Sequence, residues 1–156
     1  MYMMISLRRV NKSDLGFINT IRNDTSTRSQ LENTNTISLE ETVKWFNEKS
    51  PIWFIINREI EQVGYIRTSF DTGTSICIGC DIAPAQRGKG YAEAAYRHLI
   101  PELYEKGYSI IWLDVYRDNI PAYNLYKKLG FYEVGSSCRI INNREYITMI
   151  HARKNT

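Results

Sequence analysis

The sequence predicts one α/β domain, residues 1–156, built on a mixed, mostly antiparallel sheet of about seven strands flanked by about four helices. Three observations carry that prediction. Apolar residues switch along the chain between the alternation of half-buried strands and the three-and-four spacing of amphipathic helices. Strand-like and helical stretches are interleaved rather than segregated, and no repeat, low-complexity tract or linker divides them. The 156 residues, 43% hydrophobic and 12% aromatic, can bury one core, are too few for two large ones, and are too rich in rings for disorder.

Ile5 to Val10 alternate as a first strand, and a helix carrying Leu15, Ile18 and Ile21 on one face follows, with Ser13 placed to cap it. From Asp24 to Thr36 the chain is almost wholly polar, and a loop of that length in a small domain is usually functional or disordered. Ser38-Leu39-Glu40-Glu41 reads as a capping box opening a second helix that runs to about Lys49. Pro51 breaks the pattern, and strands at residues 52–56, 63–70 and 74–82 form an antiparallel meander. The best helix starts near Tyr91 and ends at Gly107; Pro101 should kink or split it, and His98 falls on its packing face as a structural histidine. A short buried strand at 110–115, a helix from about Pro121 to Leu129 and two strands, 131–141 and 144–151, complete the order, with Asn142-Asn143 suited to a type I′ turn.

Composition excludes several classes. A net charge of +3, dispersed along the chain, is too weak for a nucleic-acid surface, though it tolerates an anionic small molecule. Cys77, Cys80 and Cys138 are odd in number, and Cys77-x-x-Cys80 has no second Cys or His pair to complete a metal site, so the pair reads as buried strand residues and no metal is expected. The apolar opening meets Arg8 and Arg9 at once and no stretch reaches a membrane-spanning length, which leads us to expect a soluble cytoplasmic protein with no membrane partner. Composition and spacing do not decide between monomer and homodimer.

Chemistry concentrates in Gln86-Arg87-Gly88-Lys89-Gly90-Tyr91-Ala92, where two glycines beside two cations precede a helix N-terminus. Main-chain N–H groups there can close around a phosphate. Neither a P-loop, which needs Gly-x-x-x-x-Gly-Lys-Ser/Thr, nor a dinucleotide fingerprint, which needs glycine where Glu93 stands, fits the stretch. Arg-x-x-Gly-x-Ala does fit, at Arg87, Gly90 and Ala92, and resembles the acetyl-CoA pyrophosphate loop of the GNAT N-acetyltransferase superfamily. A second stretch, Asn119 to Phe131, is similar to that superfamily's Asn-x-x-Ala-x-x-Leu-Tyr-x-Lys-x-Gly-Phe at Asn119, Ala122, Leu125, Tyr126, Lys128, Gly130 and Phe131. Arg22-Asn23 with the 37–46 region resembles the branch holding RimJ/RimL-type ribosomal-protein acetyltransferases and bacterial amino-sugar acetyltransferases.

The resemblance implies a sheet splayed between two central parallel strands, 74–82 and 110–115, with the pantetheine arm of acetyl-CoA paired in the gap. It implies a main-chain N–H near Ile82 polarising the thioester carbonyl, amides of Arg87, Gly88, Lys89, Gly90, Tyr91 and Ala92 on the pyrophosphate, and contacts from Asn119, which also caps its helix. Tyr126 is similar to the tyrosine that donates a proton to the departing sulfur. The base is open: Asp81 beside the acetyl group, or Cys80 as the inward residue, with Asp24 and Glu32 drawing in the substrate ammonium. The implied activity is acetyl transfer by direct amine attack, onto a small amine such as an amino sugar, free or nucleotide-linked. The alternatives are a protein N-terminus as acceptor, or a non-catalytic acyl-CoA sensor.

Overall fold

The computed structural model describes residues 4–153. Strands β1 (Ile5–Arg9), β2 (Phe54–Arg58), β3 (Glu61–Ser69), β4 (Ser75–Ile82), β5 (Ile110–Tyr116), β6 (Phe131–Glu133), β7 (Arg139–Ile141) and β8 (Arg144–His151) form one sheet. Its order is β1-β2-β3-β4-β5-β8-β6, with β7 also paired to β8. Every pairing is antiparallel except β4 with β5. The expected mixed α/β sheet is present, with eight strands rather than about seven, because the stretch expected as one strand at 131–141 is two. Between β6 and β7 the chain turns through Gly135-Ser136-Ser137, and Ser137 Oγ accepts the Thr148 N–H at 3.1 Å that a continuous strand would have taken. The β7–β8 turn has positive φ at both Asn142 and Asn143, 52° and 60°, as a type I′ hairpin requires.

The helices are α1 (Leu15–Asn23), α2 (Thr25–Arg28), α3 (Leu39–Lys49), α4 (Tyr91–Glu105) and α5 (Ile120–Leu129), five rather than four. The extra one, α2, lies in the polar segment read from sequence as loop. Asn11 rather than Ser13 caps the first helical turn, in a reciprocal box with Asp14. Ser38 caps α3 as expected, accepting the Glu41 N–H at 3.1 Å. Pro101 lies inside α4 without ending it. Pro101 is on the exposed side, so the carbonyl it leaves unpaired can turn to water. His98 is also exposed, 3.8 Å from Glu102, and not on the packing face.

The sheet has two buried faces. Leucines, tyrosines and Ile100 of α4, with Leu129 of α5, pack on Ile56, Val63, Ile66, Ile78, Leu113 and Met149. On the other face α1 supplies Leu15, Ile18 and Ile21, and α3 leans Val43 and Phe46 against Ile55, Tyr65 and Trp53. At roughly 2 kcal/mol for each fully buried aliphatic side chain, these two layers are what holds the sheet in register. No helix of the described residues is long and apolar enough to cross a membrane.

Candidate active site

The parallel pairing of β4 with β5 stops at Cys77 opposite Trp112, yet β4 continues to Ile82 and β5 to Tyr116. Beyond that point the strands part. The Ala83 N–H reaches the Val63 carbonyl at 2.9 Å, so by the alternation of an antiparallel ladder Asp81 and Gly79 also turn their amides to β3. Cys80 and Ile82 therefore present theirs to the gap, while Ile78, next to the last parallel pair, still gives its amide to β5. Strand edges left unpaired inside a domain cost free energy unless something extended pairs with them, which makes the gap a built slot for a chain-like ligand.

At the open end of the slot a single 3-10 turn, Pro84–Gln86, delivers the chain to the N-terminus of α4. Gly88 and Gly90 have φ of 75° and 83°, conformations a side chain would strain, and no side chain caps the helix. The first-turn N–H groups of α4 are thus open to an anion, with the helix dipole behind them. A cavity of about 890 Å³ joins loop and slot, lined by Ile82, Gly88, Gly90, Tyr91, Ala92, Asn119 and Tyr126 among others, so most of the sequence-derived cofactor residues meet in one place.

Several of those residues are placed differently from expectation. Arg87 walls the cavity, but its guanidinium is occupied: Nε donates to the Ile82 carbonyl at 3.1 Å, and its two Nη atoms to Ser26 Oγ at 2.6 Å and Thr27 Oγ1 at 2.8 Å. It ties α2 to the loop. Lys89 does not line the cavity and donates to Gln86 Oε1 at 3.2 Å. Asn119 sits at the N-cap position of α5 without a capping side-chain bond, which leaves its amide for the cleft. Asp24 is outside the cleft; its carboxylate caps α2 by accepting from Ser26, and those bonds hold its carboxyl below the usual range. Glu32 lines the cleft, exposed at its mouth.

Asp81 and Cys80 both reach the cavity. Asp81 is on the α1/α3 face with Tyr65, and its Oδ2 stands 3.1 Å from Arg67 Nε. Cys80 is on the α4/α5 face, where burial pushes its thiol well up. Cys77 is raised to about 11 by burial, so neither thiol is a nucleophile near neutral pH, and three strand positions apart they face opposite sides. Among the described residues no group of three or more His, Cys, Asp or Glu could hold a metal ion.

Tyr126 is on the inner side of α5. Burial pushes its phenol up to about 12; Tyr96 of α4, itself fully buried, lies edge-on at 5.8 Å between ring centroids with the hydroxyls 3.5 Å apart. Tyr126 therefore stays protonated far above neutral pH and can serve as an acid or hydrogen-bond donor, not as a base.

The polar segment is a wall rather than a free loop. Arg22 donates to the Asn33 and Asn35 carbonyls, Arg144 to the Ser29 carbonyl, and Tyr116 to the Leu31 carbonyl at 3.0 Å. Behind it, a second cavity of about 540 Å³ opens between α1, α3 and β3, lined by Asn19, Asn35, Thr36, Thr42, Trp45, Trp53 and Tyr65. Arg22, Leu31, Asn33 and Arg67 line both cavities and mark where they join. Sequence reasoning missed Arg67, Tyr65 and the two tryptophans as site residues. The alternation of β3 was the available signal, since an arginine two residues from a core tyrosine must share its buried face.

A slot between two parallel strands, an uncapped helix mouth at one end and a buried phenol on its flank define a class of α/β domain that can take a long phosphorylated ligand edge-on. A model described as the acetyltransferase (GNAT) family matches residues 18–131, and the chain belongs to that family. It is 37% identical over 51 residues to a streptothricin acetyltransferase of Streptomyces lavendulae, covering 33% of this chain and 27% of that protein. It is 36% identical over 80 residues to the [ribosomal protein bS18]-alanine N-acetyltransferase of Haemophilus influenzae, covering 51% of this chain and 53% of that one. The chain thus spans about half, or less, of the length of these curated relatives. In fold it is similar to the spermidine N-acetyltransferase of Vibrio cholerae solved with CoA and spermine, with a TM-score of 0.86 at 22% identity over 94% of each chain.

Proposed function

We propose that this protein transfers the acetyl group of acetyl-CoA to the primary amine of a small molecule, an amino sugar, free or nucleotide-linked, being the favoured class. The observation that carries the reading is the junction of the two cavities: a slot with free strand amides and a phosphate loop opens directly onto a pocket of about 540 Å³, small-molecule in size and furnished with amides and hydroxyls. Bound in the slot, acetyl-CoA supplies the activated acyl carbon. The Ile82 N–H faces the gap, where it would polarise the thioester carbonyl.

The amine nitrogen attacks the carbonyl carbon, the C–S bond breaks, the sulfur leaves as thiolate, and the excess proton on the new C–N nitrogen passes through solvent to that thiolate, giving the amide and free CoA thiol. Two protons need handling. Tyr126 hydrogen-bonds the developing thiolate; with its phenol near 12 and a thiol near about 8.5, complete transfer is uphill by about 5 kcal/mol, so its contribution is chiefly a charge-assisted hydrogen bond. The ammonium must lose its proton before attack. Asp81 faces the acceptor side but is shared with Arg67, and we assign it to orienting that guanidinium and taking the proton through water.

The second reading, acetylation of a protein N-terminus, is favoured by the likeness to the [ribosomal protein bS18]-alanine N-acetyltransferase. Thiol release from acetyl-CoA, measured against amino sugars, nucleotide-linked amino sugars and short peptides, separates the two: a small-molecule enzyme should ignore every peptide. Should only peptides react, the favoured acceptor class is wrong. If coenzyme binds and nothing reacts, a binding-only protein is what remains.

A further inference from the structure

Arg67 extends from β3 onto the floor at the junction of the two cavities. Among the described residues its guanidinium makes no side-chain hydrogen bond; Nε comes within 3.1 Å of Asp81 Oδ2 but without hydrogen-bond alignment, and both atoms are buried and otherwise unpartnered. The group lies flat over Gly79, where an added Cβ would stand 2.6 Å from Nη2. The glycine keeps the guanidinium low and its outer edge turned to the cleft. Arg22 of α1 lines the same junction; among the described residues it has no carboxylate partner, and each Nη gives one bond to a main-chain carbonyl, leaving Nε and one N–H on each Nη.

Two guanidiniums with unused donors therefore lie with Asp81 where the acceptor must enter; of the other carboxylates on the first cavity, Glu93 and Asp114 are paired with other cations and Glu32 is exposed at the mouth. Glu41, the acidic residue that lines the second cavity, is an exposed residue of the first turn of α3. We propose that the acceptor carries an anionic group near its amine, a carboxylate or a phosphate ester, and that Arg67 and Arg22 grip it while the rest of the molecule lies along Trp45, Trp53 and Tyr65. Planar guanidinium groups match the paired oxygens of both anions. The aromatic wall is continuous, with Trp45 to Trp53 at 5.1 Å and Trp53 stacked on Tyr65 at 5.7 Å. A polyamine offers those guanidiniums no anion to bind.

This inference rests on the acetyl-transfer reading, and the experiment separates the two. Initial rates of thiol release at saturating acetyl-CoA are compared for serine against serinamide, for glucosamine 6-phosphate against glucosamine, and for spermidine. The expected result is at least a ~10-fold higher kcat/KM for the anionic member of one pair, the serine pair identifying a carboxylate and the sugar pair a phosphate ester. Arg67→Lys, Arg22→Gln and Gly79→Ala, the last displacing the guanidinium without removing it, should each shrink that ratio several-fold while calorimetric affinity for CoA stays constant. Equal or faster turnover of the neutral members or of spermidine overturns the proposal and leaves acetyl transfer standing, as does a ratio that no variant alters. Coenzyme binding without thiol release from any of the five amines refutes acetyl transfer onto a small amine, and the anion grip with it.

Discussion

Tyr126 and His151 show how burial decides what a titratable side chain can do. Tyr126→Phe removes one hydroxyl from a ring that keeps its contacts with Tyr96 and Phe131, so the fold should hold and the coenzyme slot should keep its shape. Turnover in the thiol-release assay should fall at least ~10-fold, while calorimetric CoA affinity changes little. Undiminished turnover would remove Tyr126 from the proposed role. With the wild-type phenol held near 12, the rate should also rise with pH as the amine deprotonates, with no fall attributable to Tyr126 below about pH 11. His151 is neutral for a structural reason. Its Nε2 faces the Leu129 carbonyl at 3.0 Å and must be the protonated nitrogen, so Nδ1 accepts from the Tyr104 hydroxyl at 2.7 Å. Burial holds its pKa below the ordinary 6.5. Because the unfolded chain binds the proton more readily, the stability this ring contributes is complete above about pH 6.5 and is lost as pH falls toward its folded value. Thermal melts between pH 7.5 and 5.5 should show a shallower loss for His151→Asn than for wild type; parallel curves would refute the assignment. Asp14 and Glu133, whose carboxyls are lowered by ion pairing, act at much lower pH and do not confuse that window.

At the level of elements, the unpaired edge of β4 makes a position-specific prediction. In the free protein the amides of Gly79 and Asp81, bonded to β3, and of Ile78, bonded to β5, should exchange slowly with deuterium and those of Cys80 and Ile82 quickly. Saturating CoA should slow the second set and leave the first unchanged; uniform protection along the strand would mean the ligand does not pair there. This edge shows what sequence can and cannot say. Most strands, the cap at Ser38, the Asn142-Asn143 turn and the glycine loop are local features whose periods and turn chemistry are written within a few residues, and they were legible; the break that divides 131–141 into β6 and β7 was not. The parting of β4 from β5 is set by which residues meet across 30 positions of chain, so only the family resemblance pointed to it. The polar segment misled for the same reason. Its own residues carry no apolar period, and its order comes from distant donors, Arg22, Tyr116 and Arg144, that tie down its carbonyls. The loop motif gives no sign that the Arg87 guanidinium, a cation beside the expected phosphates, is claimed by Ser26 and Thr27 some sixty positions away; its main-chain amide, which the resemblance assigned to the pyrophosphate, is untouched by that pairing.

Across the whole molecule, the sheet consists of two halves, β1 to β4 and β5 to β8, whose strands meet only at the three register pairs from Ser75 opposite Ile110 to Cys77 opposite Trp112. The rest of the seam is bridged by α4, which packs against both halves, and by the side chains that pin the polar segment. A ligand lying in the slot would bond to both sides of that seam at once, adding cross-links where the protein has fewest. Coenzyme binding should consequently stabilise the whole domain, not one flank of it. Mass action gives about 2.7 kcal/mol at a hundredfold excess over Kd. For a domain of this size that is a rise in Tm of roughly 5–10 °C. If the domain is a single cooperative unit, intrinsic fluorescence from tryptophans on both halves, Trp53 and Trp112, and calorimetry should report one transition that moves together as CoA is added. Two transitions, of which only the one containing β5 to β8 shifts, would mean that the ligand rests on one half and that the gap between the strands is not where it binds.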